Sequence, residues 1–309
     1  MASGERVLVT GAAGQLGTYL LHRLNERGYI GTGLGRSEAP GVDVVADIRD
    51  NAQLAAAIDQ VRPNAIIHAA AYTDVDGCER DPDLADAINR VGSTNVAELA
   101  RERGIWVIGI GTDFVFSGSS GAPYFEDASP DPISVYGKSK LAGERAVLSA
   151  DAGFAVARTA WVYGGRGKHF PRTVLTMLER HGRMEVVDDE VGSPTFAGDL
   201  AEALVALLPQ RPAGILHLTN EGSVSRFDLA QRVAMEAGRD PSAITPVSTQ
   251  AFLEKYPLPA RRPANSTLRN SRAANLGVRL PPWDEAVRRY VPNLATEIFV
   301  PAPTDAGSR

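Results

Sequence analysis

Short apolar runs alternate with longer stretches whose apolar residues recur at helical spacing, and this rhythm lasts through the first half of the chain. Residues 6–10 (RVLVT) read as a buried strand, and residues 14–27 as a helix with Leu16, Leu20, Leu21 and Leu24 on one face. Strands follow at 29–34 and 42–46, then a helix at 51–61 with Asn51 in the capping position. A strand at 65–69 precedes one long helix over 82–103, where Asp81 can cap and Pro82 suits the first turn. A strand at 105–110, a mostly helical segment over 132–150 and a strand at 154–158 complete the series. Strands alternating with helices predict a parallel sheet covered on both faces.

After residue 160 the rhythm weakens. Residues 170–180 read as helix, 215–218 as a strand and 226–237 as a helix. The stretch 240–282, rich in proline and short apolar pieces, reads as part of a smaller lobe over the sheet. The tail 301–309 reads as frayed and solvated.

Composition narrows the function classes. The chain has 309 residues, 44% hydrophobic and 22% charged, the ordinary balance of a soluble globular protein. That argues against a disordered chain, a collagen and a coiled coil. A formal net charge of -5 disfavours a broad basic face for nucleic acid. The longest apolar run, 65–71, contains a histidine and is strand-sized, so no membrane span is expected. No targeting segment is expected either. The single cysteine, Cys78, makes neither an internal disulfide nor a thiolate zinc cage, which suits a reducing cytoplasm. His22, His68, His169, His181 and His217 lack metal-ligand spacing, so each reads as structural or solvated and no metal is expected.

The candidate chemistry begins at Thr10-Gly11-Ala12-Ala13-Gly14-Gln15-Leu16-Gly17, directly after the first strand and opening the first helix. Gly11 permits a sharp turn, Gly14 lets the backbone approach a pyrophosphate, and Gly17 lets helix and strand pack closely. The helix N-terminus then turns free N–H groups and a positive dipole end toward phosphate. Asp47 and Ile48, after the third strand, offer a carboxylate for an adenine amine and an apolar side chain for its ring. A plain turn aspartate is the competing reading of Asp47. The second strand ends Gly33-Leu34-Gly35-Arg36-Ser37, with an arginine where a carboxylate would favour NAD. NADPH is therefore expected over NADH, unless Arg36 is simply a solvated loop residue.

Tyr136 and Lys140 stand at i and i+4 on one helix face. A ketone reduced by hydride needs a proton on the nascent alkoxide. A neighbouring ammonium and an oxidised nicotinamide favour the phenolate, easing that transfer near neutrality. Lys140 can also donate to ribose hydroxyls, while Lys138 is expected to face solvent. Thr112, at the carboxyl end of the fifth strand, can hydrogen-bond a substrate carbonyl there.

These motifs together resemble extended short-chain dehydrogenases/reductases, and more narrowly the dTDP-4-dehydrorhamnose reductase family, over residues 6–290. The resemblance rests on TGAAGQLG at Thr10, AAAYTDVDGCE at Ala69, INRVG at Ile88, GTDFVFSG at Gly111 and YGKSKLAGE at Tyr136. It rests further on RTAWVYG at Arg158, VGSPTFAGDLA at Val191, HLTNEGSVS at His217 and RRPANSTL at Arg261. It implies a Rossmann-like doubly wound α/β fold. Residues 1–165 would form the dinucleotide-binding domain, with its sheet completed by parts of 191–235, and 166–300 mainly a smaller substrate-binding lobe. It implies NAD(P)H-dependent reduction of the 4-keto group of a dTDP-6-deoxy-4-ketohexose, with Thr112, Tyr136 and Lys140 as the catalytic triad. Gly11, Gly14, Gln15, Leu16, Arg36, Asp47, Ile48, Ala70, Ala71 and Tyr72 would line the cofactor. Thr73, Val75, Asn89, Asp113 and Trp161 would lie at the sugar or nucleotide, and Arg262 would suit a diphosphate. A dTDP-sugar is the expected partner; whether two copies pair as a homodimer is left open by the residues.

The chain departs from the family pattern at Gly111, where a serine is common, and at Phe114, where a tyrosine is common. The second change puts the identity of the hexose in doubt more than the chemistry, and a 4-ketoreductase of another dTDP-deoxysugar stays open. A 4,6-dehydratase needs a carboxylate at the position of Phe114. A 4-epimerase would use the same pair, but the later motifs resemble reductases. A non-catalytic, NADP-binding regulatory subunit is a further alternative, against which the complete set of chemical motifs stands. Steady-state kinetics with both cofactors should show higher efficiency with NADPH; equal or better efficiency with NADH would reject the preference.

Overall fold

The computed structural model describes residues 4–165 and 167–299; the expected tail at 301–309 lies outside them. β1 (Arg6–Thr10) is buried from Val7 to Thr10, and α1 (Gln15–Glu26) lays Leu16, Leu20 and Leu24 against it. Gly17 is required for this contact: a Cβ there would stand 2.4 Å from the Gly11 carbonyl oxygen. β2 (Ile30–Gly35) and β3 (Val44–Val45) follow, then α2 (Asn51–Val61). The cap of α2 is Asp50, not Asn51: its carboxylate accepts from the Ala52 and Gln53 N–H groups.

After β4 (Ala65–His68) the chain enters α3 (Val75–Arg80), which holds Cys78 and has no counterpart in the sequence pattern. The single helix expected over 82–103 has three parts. They are α4 (Pro82–Asp86), a π-turn at Ala87–Val91 and α5 (Gly92–Glu102). Asp81 does cap α4, accepting from the Leu84 N–H. β5 (Trp106–Thr112) leads to α6 (Val135–Ala150), where the Ser134 hydroxyl caps by accepting from the Gly137 N–H. β6 (Ala155–Thr159) and β7 (Val162–Tyr163) follow.

The second half comprises α7 (Phe170–His181), β8 (Met184–Val187), β9 (Val191–Gly192), β10 (Thr195–Phe196) and α8 (Ala197–Leu207). Then come β11 (Gly214–His217), β12 (Val224–Ser225), α9 (Arg226–Glu236), β13 (Ile244–Val247), α10 (Thr249–Lys255), α11 (Ser271–Asn275) and α12 (Trp283–Phe299).

Seven parallel strands form one sheet in the order β11-β6-β5-β4-β1-β2-β3. The winding reverses between β1 and β4, so the carboxyl ends of these two strands open a crevice. The chain returns to this sheet late: β11 pairs with β6, α8 packs on α1, and Val278 and Leu280 join the same core. A second core gathers α7, α9 and α12 with Val186 and Ile244 of the parallel β8–β13 pair.

One close approach sets the position of α6. A Cβ on Gly143 would lie 2.1 Å from the Asn89 carbonyl oxygen in the π-turn. Gly143→Ala should therefore push α6 off that turn and cost about 1–3 kcal/mol as overpacking does; chemical denaturation of the purified variant measures it.

Candidate active site

The sheet's carboxyl edge opens into a cavity of about 1240 Å³ that reaches from the glycine turn to α10. Every expected site residue lines it except Asn89. Its lining brings together Gly11, Gly14, Gln15, Leu16, Arg36, Asp47, Ile48, Ala70, Ala71 and Tyr72 with Thr112, Tyr136 and Lys140, and with Thr73, Val75, Asp113, Trp161 and Arg262.

The glycine turn suits a pyrophosphate for two structural reasons. Gly11 has φ +71°, and a Cβ there would stand 2.8 Å from the Ala70 nitrogen. The residue just before α1, Gly14, supplies no side-chain cap, so the N–H groups of the first helical turn are left for a ligand in the cavity that Gly14, Gln15 and Leu16 line.

Beside Asp47 the structure adds Arg49. Its guanidinium donates to both Asp47 carboxylate oxygens, with Nε–Oδ1 3.0 Å and Nη2–Oδ2 2.6 Å. This pairing, with the nearby Arg36, holds the Asp47 carboxyl below its usual range. A basic residue two positions after the loop aspartate was the only sequence signal for it.

The three central side chains converge from two elements. Thr112 ends β5, where its hydroxyl donates to Asp113 Oδ1 at 3.1 Å and accepts from the Phe114 N–H at 3.3 Å. Tyr136 and Lys140 come from the first turns of α6, and Lys138 is exposed. Lys140 Nζ donates to the Ile110 carbonyl at 2.8 Å. Burial pulls its ammonium down to about 8, against the opposing charge of Glu144. The phenol of Tyr136 is held above its usual value. Burial is the dominant cause, and its hydrogen bond with Thr112 pulls the other way. Phe114 meets the Tyr136 ring edge to face, 5.4 Å between centroids.

Asn89 has a different place from the one expected. It is 1% exposed and stands outside the cavity wall. Its Oδ1 accepts the Tyr72 N–H at 2.8 Å, and its Nδ2 donates to the Tyr72 carbonyl at 3.1 Å and to Ser139 Oγ at 2.9 Å. Ser139 in turn donates to the Tyr136 carbonyl at 2.9 Å. Asn89 thus ties the wall of the cavity to the helix of Tyr136 and touches no ligand space.

Beyond the centre, Asp113 accepts from Ser266 Oγ at 2.5 Å, and burial raises its carboxyl to about 6. Trp161 has φ +47°, and its ring lies under the Arg226 guanidinium at 3.6 Å. Arg226 and the buried Glu190 carried no motif signal in the sequence. His68 bridges Thr10 and Ser93 through its two ring nitrogens, at 2.7 and 3.0 Å, and burial holds it neutral with a value of about 3. Cys78 is buried in α3, its thiol pushed up to about 11. Among the described residues no group of three or more His, Cys, Asp or Glu is placed to hold a metal ion, and no helix is long and apolar enough to cross a membrane.

The family described as RmlD substrate binding domain matches residues 5–296. A dTDP-4-dehydrorhamnose reductase of Mycobacterium tuberculosis is 41% identical over 304 residues, covering 96% of this chain and 94% of that protein. A probable dTDP-4,6-dihydroxy-2-methyloxan-3-one 4-ketoreductase of Streptomyces antibioticus is 38% identical over 293 residues, covering 94% of this chain and 95% of that protein. The crystal structure of dTDP-4-dehydrorhamnose reductase from Bacillus anthracis, in complex with NADP, superposes with a TM-score of 0.85 at 34% identity, covering 93% of this chain and 98% of that one. The chain belongs to the dTDP-4-dehydrorhamnose reductase family, whose shared region is described as the RmlD substrate binding domain.

Proposed function

We propose that the protein is an NADPH-dependent 4-ketoreductase of a dTDP-4-keto-6-deoxyhexose, acting in deoxysugar nucleotide biosynthesis. One observation carries this reading: Thr112, Tyr136 and Lys140 line the same cavity as the glycine turn and as Arg226 and Arg262. The same reading places the chain in the cytoplasm, where the buried thiol of Cys78 stays reduced.

The glycine turn and the open end of α1 would hold the cofactor's pyrophosphate, and Arg36 with Arg49 would stand near a ribose 2′-phosphate. A reduced nicotinamide supplies a hydride to the sugar carbonyl when bound. The chain's own residues do the rest. Tyr136, kept protonated by burial, is the general acid that delivers a proton to the carbonyl oxygen as it becomes an alcohol. Thr112 shares its hydroxyl with that phenol and steadies the same oxygen. Lys140 brings a positive charge into the cavity beside them, tethered by the Ile110 carbonyl.

Phe114 separates this reading from dehydration. Elimination across the sugar ring calls for a carboxylate next to Thr112 and Asp113, and the position holds a phenyl ring packed on Tyr136. The likeness to the Streptomyces antibioticus 4-ketoreductase keeps a second dTDP-deoxysugar substrate as the nearest variant.

Supplying dTDP-4-keto-6-deoxyglucose, with and without a 3,5-epimerase, should give NADPH oxidation and a product alcohol assignable by NMR; no turnover on either substrate defeats the assignment. Tyr136→Phe should lower kcat by roughly 10²–10⁴-fold, the scale of a lost general acid, while NADPH still binds. A rate near the wild type's would remove Tyr136 from that role. The pH profile follows from Lys140. Its charged form is the useful one and its folded value is about 8, so kcat/KM should hold steady below that pH. Above it the rate should fall toward tenfold per pH unit. A profile still flat a full unit higher would show that Lys140 does not govern the rate.

A further inference from the structure

Two arginines line the substrate half of the cavity, and they are differently engaged. Arg262 is already held at both terminal nitrogens: Nη2 donates to Asp76 Oδ2 at 2.8 Å and Nη1 to the Ala260 carbonyl at 2.8 Å. Arg226 is not. Its nearest carboxylate oxygen, on Glu190, stands 3.7 Å from Nε, long for a hydrogen bond. One carboxylate at that distance leaves most of the five guanidinium donors for something else.

The surroundings of Arg226 fix its plane without satisfying it. The guanidinium lies over the Trp161 ring at 3.6 Å and 5.1 Å from the centre of the Phe170 ring. Trp161 is itself pressed against Gly192, where a Cβ would come within 2.4 Å of the indole. Such a stack holds the planar fork at a set angle, the arrangement by which arginine grips phosphate through two parallel N–H bonds. The half-buried guanidinium, with one loose carboxylate partner, keeps donors open to an arriving anion. Arg226 also feels the charges of both Asp113, next to Thr112, and Arg262. It therefore stands within electrostatic reach of the reacting end and of the second arginine alike.

We propose that Arg226, rather than Arg262, takes the sugar-side phosphoryl group of the nucleotide diphosphate, and so fixes how far the hexose reaches toward Tyr136. The inference rests on the nucleotide-sugar reading above. Arg262, held by Asp76, then serves as a brace between α3 and the segment around Ala260.

Calorimetric titration with dTDP, dTMP and NADPH tests it, because dTMP lacks only the phosphoryl group in question. Arg226→Gln should weaken dTDP by on the order of 10- to 100-fold, leave dTMP within about twofold, and leave NADPH unchanged. Arg226→Lys keeps the charge and the fold but not the fork, and should show the same selective loss of dTDP to a smaller degree. Equal losses of dTDP and dTMP in both variants would mean that Arg226 only supports Trp161, and would overturn the proposal. Unchanged dTDP binding would overturn it too. Wild-type protein that binds NADPH but neither thymidine nucleotide would instead defeat the nucleotide-sugar reading itself, and this inference with it.

Discussion

The side-chain amide of Asn89 joins three pieces of chain that the chemistry needs in one place. It takes both polar groups of the Tyr72 peptide, which forms the cavity wall after β4, and reaches Ser139 on α6. Ser139 passes the connection to the carbonyl of Tyr136. The Asn89 backbone carbonyl touches the same helix one turn on, against Gly143. A π-turn makes this possible, since the wider winding at 87–91 lets one residue present its side chain to a loop and its backbone to a neighbouring helix. The spacing between the cavity wall and the backbone of Tyr136 is thereby set by hydrogen bonds of the buried Asn89 amide, which are costly to leave unmade.

That rigidity matters because the centre of the cavity is charged and poorly solvated. Lys140, Asp113, Glu190 and Arg226 are all displaced from their usual values with burial as the first cause. Burial acts in opposite senses on acids and bases, weakening the charged form of each. The result is a proton inventory held ready: a phenol that keeps its proton, an ammonium with a value near neutrality, and a carboxyl raised to about 6. Such groups cluster where chemistry is done, and here they lie within one crevice at the reversal of the sheet.

Much of this was legible in the sequence, for physical reasons that differ by element. The glycine turn was readable because Gly11 and Gly17 are each forced by a backbone contact that no side chain survives. Tyr136 and Lys140 were readable because helical spacing alone puts them on one face. α8 was not readable: eight of its eleven residues are buried, so it shows no polar face to mark its period. The breaks around the π-turn were invisible because 82–103 remains helical in pattern throughout. Asn89 was placed at the substrate because a motif says that a residue is near a site, not which way its side chain turns. Arg226 escaped for a similar reason, since a lone arginine opening a helix looks like a solvated charge until Trp161 is seen beneath it.

Trp161 shows how the two halves of the chain constrain each other. A bulky side chain in the left-handed region costs on the order of 1–3 kcal/mol and persists only where its surroundings over-determine it. Here they do. The Trp161 carbonyl accepts the Thr195 N–H at 3.4 Å as β10 pairs with β7, Gly192 leaves room for the indole, and Arg226 lies on its ring. Each contact comes from a segment that follows residue 190, while the backbone turn itself directly follows β6 of the sheet. The turn at Trp161 is therefore held in place by segments of the second half of the chain. The cavity wall around Trp161 thus depends on the second half of the chain, and the wall around the glycine turn on the sheet. Asp113 of the cavity lining is joined to Ser266 of the second half by a hydrogen bond between buried groups.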